Sequence, residues 1–164
     1  MAHIYISIGS NIEREKYVNL GLSALNDMFG PLTVSSLYAC EAVGFEGPEF
    51  YNLVVGATTD MPLSELTECL RQIEYAHGRC PNAKKYSPRT LDLDLLLYDD
   101  VIAVAPAILP RPEILTSAFV LCPLAEIAAQ SAHPELKQTY QHLWQHFDET
   151  SQQIIKQPLT WQAQ

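Results

Sequence analysis

The stretch Leu91-Asp92-Leu93-Asp94-Leu95-Leu96-Leu97-Tyr98 leaves few options for the structure around it. Apolar and acidic residues alternate over its first half, as in a strand, and strand side chains two apart share a face. Asp92 and Asp94 therefore project together, about 6–7 Å apart along the backbone. Two carboxylates on one half-buried face need compensation, because a buried unpaired charge costs several kcal/mol. A hard divalent cation supplies it. Mg²⁺ takes oxygen ligands, keeps several waters, and is commonly held by one or two carboxylates together with substrate phosphates.

The flanks of this stretch carry cations. Arg79, Lys84, Lys85, Arg89 and Arg111 are five of the ten basic residues in a chain of net charge −9. Cations clustered beside paired carboxylates suit a polyphosphate, whose oxygens the cations hold directly and the carboxylates hold through metal. A surface salt-bridge network next to an edge strand accounts for the same spacing.

The 164 residues read as a single domain, 1–164, with a polar tail from about 150 to 164. The acidic balance argues against a duplex nucleic-acid binder but not against a nucleotide, which needs only a local cationic patch. The chain has no apolar run of membrane-spanning length and no charged leader at its amino terminus, so no membrane association and a cytoplasmic location are expected. Cys40, Cys69, Cys80 and Cys122 form no Cys-x-x-Cys pair, which favours reduced thiols over a zinc site or disulfide scaffold.

In chain order, His3 to Ile8 predicts a strand that ends in a Gly9-Ser10-Asn11 turn, with Asn11 capping a helix over 13–28. That turn as a phosphate cradle rests on a single glycine, and a tight turn plus cap is the favoured reading. Leu32 to Tyr38 and Phe50 to Thr59 predict two more strands around a loop from Ala39 to Pro48. Asn52, inside the second of these, must satisfy its amide either on a ligand edge or on neighbouring backbone.

Pro62 opens a helix with the stripe Leu63, Leu66, Leu70 and Ile73, and Gly78 ends it. Glu74 stands near its C-terminus, where the helix dipole disfavours an acid, which points to a cationic partner or a ligand. Residues 79–88 form a basic loop suited to act as a lid. After the acidic strand, Asp99-Asp100 should turn the chain so that Val101 to Val104 pairs back. A helix over Leu115 to Ile127 should be kinked or interrupted by Pro123, and a last helix covers about 135–148. His142 and His146 sit one helical turn apart there, and read as solvated surface for want of a third ligand.

The order strand, helix, strand, strand, helix, strand is that of a split βαβ unit, a ferredoxin-like α+β core whose antiparallel sheet packs helices, with the acidic strand expected at its centre. Pro88-Arg89-Thr90-Leu91-Asp92-Leu93-Asp94, with Ile8-Gly9-Ser10-Asn11 and Phe50-Tyr51-Asn52, resembles the 6-hydroxymethyl-7,8-dihydropterin pyrophosphokinase family of folate synthesis over about residues 3–128. The resemblance implies the same core with extra C-terminal helices, and Mg²⁺-dependent transfer of pyrophosphate from ATP to the pterin with release of AMP. It implies two Mg²⁺ ions on Asp92 and Asp94, with Arg79 and Arg89 also catalytic. Glu74, Arg79, Lys84, Lys85, Arg89, Thr90 and Arg111 fall at nucleotide positions, and Cys40, Val43, Phe50, Asn52, Asp92 and Phe119 at pterin positions. ATP and the pterin are the expected partners of a monomer.

The chain departs from the family pattern at several clamps. Pro81 stands where a second arginine is usual, Arg111 where a histidine is usual, and Ser117 where an arginine is usual. Cys40-Glu41-Ala42-Val43-Gly44 replaces the usual Thr-Pro-Pro-Leu-Gly loop. Each lost charged hydrogen bond costs on the order of 1.5–3 kcal/mol. A catalytically weak or inactive paralogue that binds a pterin or nucleotide, or a diphosphokinase for a modified pterin, therefore stands beside the active enzyme.

Overall fold

One mixed-length antiparallel sheet organises the chain, and the computed structural model describes it over residues 1–41, 47–78 and 90–163. The elements are β1 (Ala2–Ser10), α1 (Arg14–Phe29), β2 (Thr33–Val34), β3 (Leu37–Cys40), β4 (Phe50–Thr59), α2 (Leu63–Ala76), β5 (Asp92–Tyr98), α3 (Glu113–Thr116), α4 (Ala118–Ile127), α5 (Tyr140–Gln145) and β6 (Ile154–Gln157). The strand order is β5-β1-β4-β3-β6, with β2 also paired to β4. The run β5-β1-β4-β3 is the order expected of a split βαβ core, and every described pairing is antiparallel. The fold is thus α+β, with helices packed on both faces of the sheet.

Alternation in the strands makes two cores. Ile4, Ile6 and Ile8 of β1, Leu53 and Val55 of β4, and Leu93 and Leu95 of β5 pack with Val18, Leu22 and Leu25 of α1 and with Leu66, Leu70 and Ile73 of α2. On the other face Val54, Leu96 and Leu97 pack with Ile114, Val120, Leu121, Leu124 and Tyr140. Each of these large apolar side chains contributes about 1.5–3 kcal/mol through burial.

The two faces meet in the run Leu95-Leu96-Leu97, which breaks strict alternation. Ile6 pairs with Leu95 and Tyr5 with Leu97, so β5 carries one extra residue there. This β-bulge sends Leu95 to one core and both following leucines to the other.

Several expectations need correction. The acidic strand lies at an end of the described sheet, not at its centre. β1 runs through Gly9 and Ser10, so those residues are strand and not turn. Asn11 does not cap α1, which starts from Glu13 at φ 43° with no side-chain cap; its Nδ2 instead donates to the Pro48 carbonyl at 3.2 Å. Val101 to Val104 do not pair back on β5, and Ala103 forms only an isolated bridge to Leu109. The last helix is shorter than predicted, Tyr140–Gln145.

The segment expected to be a polar tail supplies β6, which pairs with β3 from Leu37↔Gln157 to Cys40↔Ile154. Beyond it, Thr160 and Trp161 hydrogen-bond to Asn19 and Ser23 of α1, and Leu159 and Trp161 pack on the first core. Sparse apolar residues in a polar run are enough for an edge strand, because the ladder uses backbone groups.

Before α5, His133 is 2% exposed, and its Nδ1 accepts the backbone N–H groups of Glu135 and Leu136, each at 3.2 Å. Burial holds its pKa below the usual value, with Glu135 opposing. The unfolded chain therefore takes up a proton first as pH falls. The stability that neutral His133 contributes is complete above the ordinary histidine pKa near 6.5 and is lost on going down toward the folded value. In urea unfolding, His133→Asn should cost more at pH 7.5 than at pH 5.5.

Candidate active site

Register across the sheet brings the acidic pair and the amide onto one face. Directly paired residues of antiparallel strands share a face, and Gly9 pairs with Asp92 on one side and Asn52 on the other. Ser7 pairs with Asp94, and Cys40 pairs with Phe50, two residues from Asn52 on the same face. Asp92, Asp94, Gly9, Asn52, Phe50 and Cys40 therefore form one patch. α4 packs on β4 and β3. Val120, Leu121 and Leu124 of α4 join Val54, on the patch's face, in one core, and Phe119 in its first turn packs against that core while staying part-exposed.

Asp92 and Asp94 are both half-buried while Leu93 between them is buried, as the alternation requires. Arg111 reaches this pair from the connector after β5. Its backbone N–H donates to the Leu96 carbonyl at 3.0 Å. Its Nη2 lies 3.2 Å from Asp94 Oδ1, and its Nε donates to Glu113 Oε2 at 2.7 Å. Burial works against the guanidinium charge, but Asp94, Glu113 and Asp92 outweigh it and its pKa is raised.

The amide end is set by packing. Asn52 is 5% exposed, and its Nδ2 donates to Cys40 Sγ at 2.8 Å. Burial pushes the Cys40 thiol up to about 12; the Asn52 hydrogen bond pulls it down and Glu49 pushes it further up. This thiol is protonated at neutral pH and serves as a hydrogen-bonding wall. A Cβ on Gly9 would come 2.9 Å from Asn52 Oδ1, so the missing side chain is what leaves the amide its place.

Two residues expected at a nucleotide also tie the scaffold together. Glu74 is 4% exposed, and its Oε2 accepts the Leu93 N–H at 2.9 Å, joining α2 to the acidic strand. Thr90 Oγ1 donates to the His77 carbonyl at 2.6 Å, just past the C-terminus of α2. Val43, Arg79, Lys84, Lys85 and Arg89 lie outside the described residues. The sequence reading put Gly9 in a turn and missed its place between Asp92 and Asn52, which rests on its pairing with both. It also missed the contact of Arg111 with Asp94, since nothing local signals an ion pair between residues 17 apart that are separated by the rest of β5 and an irregular connector.

A hollow of about 570 Å³ lies elsewhere, lined by Glu13, Arg14, Glu15, Lys16, Asn19 and Tyr51. Arg14 covers it in part, stacked 4.0 Å above the Tyr51 ring. Tyr51 alternates with Phe50 and Asn52, so this hollow is on the opposite face from the acidic pair and shares no residue with it.

The sequence profile of the 7,8-dihydro-6-hydroxymethylpterin-pyrophosphokinase (HPPK) family matches residues 5–129. A Bacillus subtilis protein named 2-amino-4-hydroxy-6-hydroxymethyldihydropteridine pyrophosphokinase is 38% identical over 131 residues, covering 77% of this chain and 78% of that protein. The chain belongs to the HPPK family. An HPPK relative of the same name from Aquifex aeolicus is 33% identical and covers 82% of this chain and 85% of its own length. The fold is also that of the Plasmodium falciparum HPPK-DHPS wild-type crystal structure, with a TM-score of 0.67 over 88% of this chain at 14% identity. The chain spans 43% of that longer HPPK-DHPS chain. Among the described residues no helix is long and apolar enough to cross a membrane.

Proposed function

We propose that this HPPK family member transfers the pyrophosphoryl group of ATP to the hydroxymethyl oxygen of 6-hydroxymethyl-7,8-dihydropterin, releasing AMP. Its named relatives are pyrophosphokinases of this pterin, and the observation that carries the site assignment is the shared face of Asp92, Asp94 and Asn52. In this reaction a bond forms from the pterin oxygen to the β-phosphorus, and the bond from that phosphorus to the oxygen on the α-phosphate breaks. Catalysis of phosphoryl transfer is largely alignment and electrostatic stabilisation.

The donor set fits magnesium. Two half-buried carboxylates offer only hard oxygen ligands, and among the described residues no group of three or more His, Cys, Asp or Glu side chains converges on a metal position. Such a pair suits an ion that retains waters and takes the rest of its ligands from phosphate. Mg²⁺ held by Asp92 and Asp94 would supply neutralisation of charge on the triphosphate oxygens. In this assignment Arg111 contacts the triphosphate from the edge of β5, and Arg79, Arg89, Lys84 and Lys85 are assigned to bind it as well.

Phe50 and Phe119 are assigned to stack on the pterin, a contact worth about 0.5–1.5 kcal/mol per ring beyond burial. Asn52 reads the ring edge with Oδ1 and the amide hydrogen not given to Cys40. Gly9→Ala displaces that amide, so it should raise the KM for the pterin about tenfold, the loss of roughly one hydrogen bond. Steady-state kinetics should find the KM for ATP changed by less than twofold.

The test is AMP release from Mg²⁺–ATP with and without the pterin. Pterin-dependent AMP with matching pterin pyrophosphate is the expected result. Tight pterin binding with no AMP would make the chain a binding module, and AMP formed only with a different pterin would reassign the substrate.

A further inference from the structure

Arg111 is held in the cation position before any ligand arrives. Its backbone is fixed twice, by its N–H on the Leu96 carbonyl and by its own carbonyl, which accepts the Ile114 N–H at 3.1 Å. From there the guanidinium divides between two carboxylates, Asp94 at 3.2 Å and Glu113 at 2.7 Å. The Arg111 and Asp94 side chains are 31% and 34% exposed, so water screens the pair without dissolving it. A divalent ion on Asp94 would compete with this guanidinium for the same oxygen and would feel its positive charge. Glu113 gives the guanidinium somewhere to stay when Asp94 is taken.

We propose that Arg111 is an internal counter-ion for Asp94, which keeps free divalent metal off the carboxylate pair until the metal arrives bound to a triphosphate. The triphosphate changes the balance because it neutralises the incoming ion and offers anionic oxygens to the guanidinium that gives way. Arg111 thereby sets the order of binding, metal and nucleotide together and not metal first. The inference rests on Asp92 and Asp94 as the metal ligands.

The experiment is a Mn²⁺ titration of the full chain without nucleotide, with free Mn²⁺ read by electron paramagnetic resonance, followed by a Mn²⁺–ATP titration. Arg111→Gln should bind free Mn²⁺ roughly tenfold or more tightly than the unaltered chain, a figure discounted for the exposure of the pair. Adding Asp94→Asn to Arg111→Gln should remove the gain, and Arg111→Lys, which keeps the charge, should stay close to the unaltered chain. An Arg111→Gln variant no tighter than the unaltered chain overturns the inference, as does an Arg111→Lys variant as tight as Arg111→Gln. If either occurs while Asp92→Asn still weakens Mn²⁺–ATP binding, the metal assignment stands and only the counter-ion role is lost. If neither Asp92→Asn nor Asp94→Asn alters Mn²⁺–ATP binding, the metal assignment itself fails.

Discussion

Asparagine at position 92 or at position 94 will slow pyrophosphoryl transfer by about 10²–10³-fold, the range seen when one group stabilising a transition state is removed. Both side chains are half-buried on β5, and asparagine keeps their shape, so the fold should survive the change. What is lost is negative charge at the place where a metal-bound triphosphate must be aligned. The two variants should differ in the free protein. Asp94→Asn removes a partner of Arg111, which retains Glu113, whereas Asp92→Asn leaves the Arg111 to Asp94 contact in place. Measured kcat for pterin-dependent AMP release, beside thermal unfolding of each variant, checks both points; kcat within threefold of the unaltered chain for both would remove these carboxylates from the mechanism.

Glu74→Ala will destabilise the chain by about 2–4 kcal/mol. The carboxylate is 4% exposed and accepts the Leu93 N–H at 2.9 Å. Alanine leaves that buried donor without its acceptor, at a cost of about 1–3 kcal/mol, and opens a cavity between α2 and β5. Glu74→Gln keeps the volume and a carbonyl acceptor, so it should lose less than half as much in urea unfolding. Leu93 is the residue between the two acidic side chains, so the alanine variant should also lower kcat at temperatures where it remains folded. A full loss of turnover in a stable Glu74→Gln variant would instead give this carboxylate a direct role with the nucleotide.

Much of the fold follows from local pattern. The stripes Val18, Leu22, Leu25 and Leu66, Leu70, Ile73 have helical spacing, and the observed helices carry them toward the sheet. The alternation from Leu91 to Leu95 predicted a strand with both acids on one side, and the burial pattern along β5 agrees. The errors have a common origin in contacts between distant residues. Asn11 has the chemistry of a helix cap, but Pro48, 37 residues away, offers its carbonyl. Residues 154–157 lack a strong strand signal, but the exposed backbone of β3 provides a ladder. The run Val101 to Val104 has high strand propensity, but the edge of β5 is met by Arg111 at Leu96 and by Glu74 at Leu93.

For the site, residue identity and spacing pointed to Asp92 and Asp94 and left Asn52 between a ligand and neighbouring backbone, while Phe50 entered only through the family resemblance. Alternation with period two was sufficient to put the acids on a common face. Only the register of β1 between β5 and β4 decided that the acids and the amide share that face across Gly9, and only the path of the connector decided that Arg111 meets Asp94. Local sequence sets which way a side chain points along its own strand. Which strands become neighbours, and in what register, is set by the sum of many weak burial terms over the whole chain, and no single stretch contains that sum.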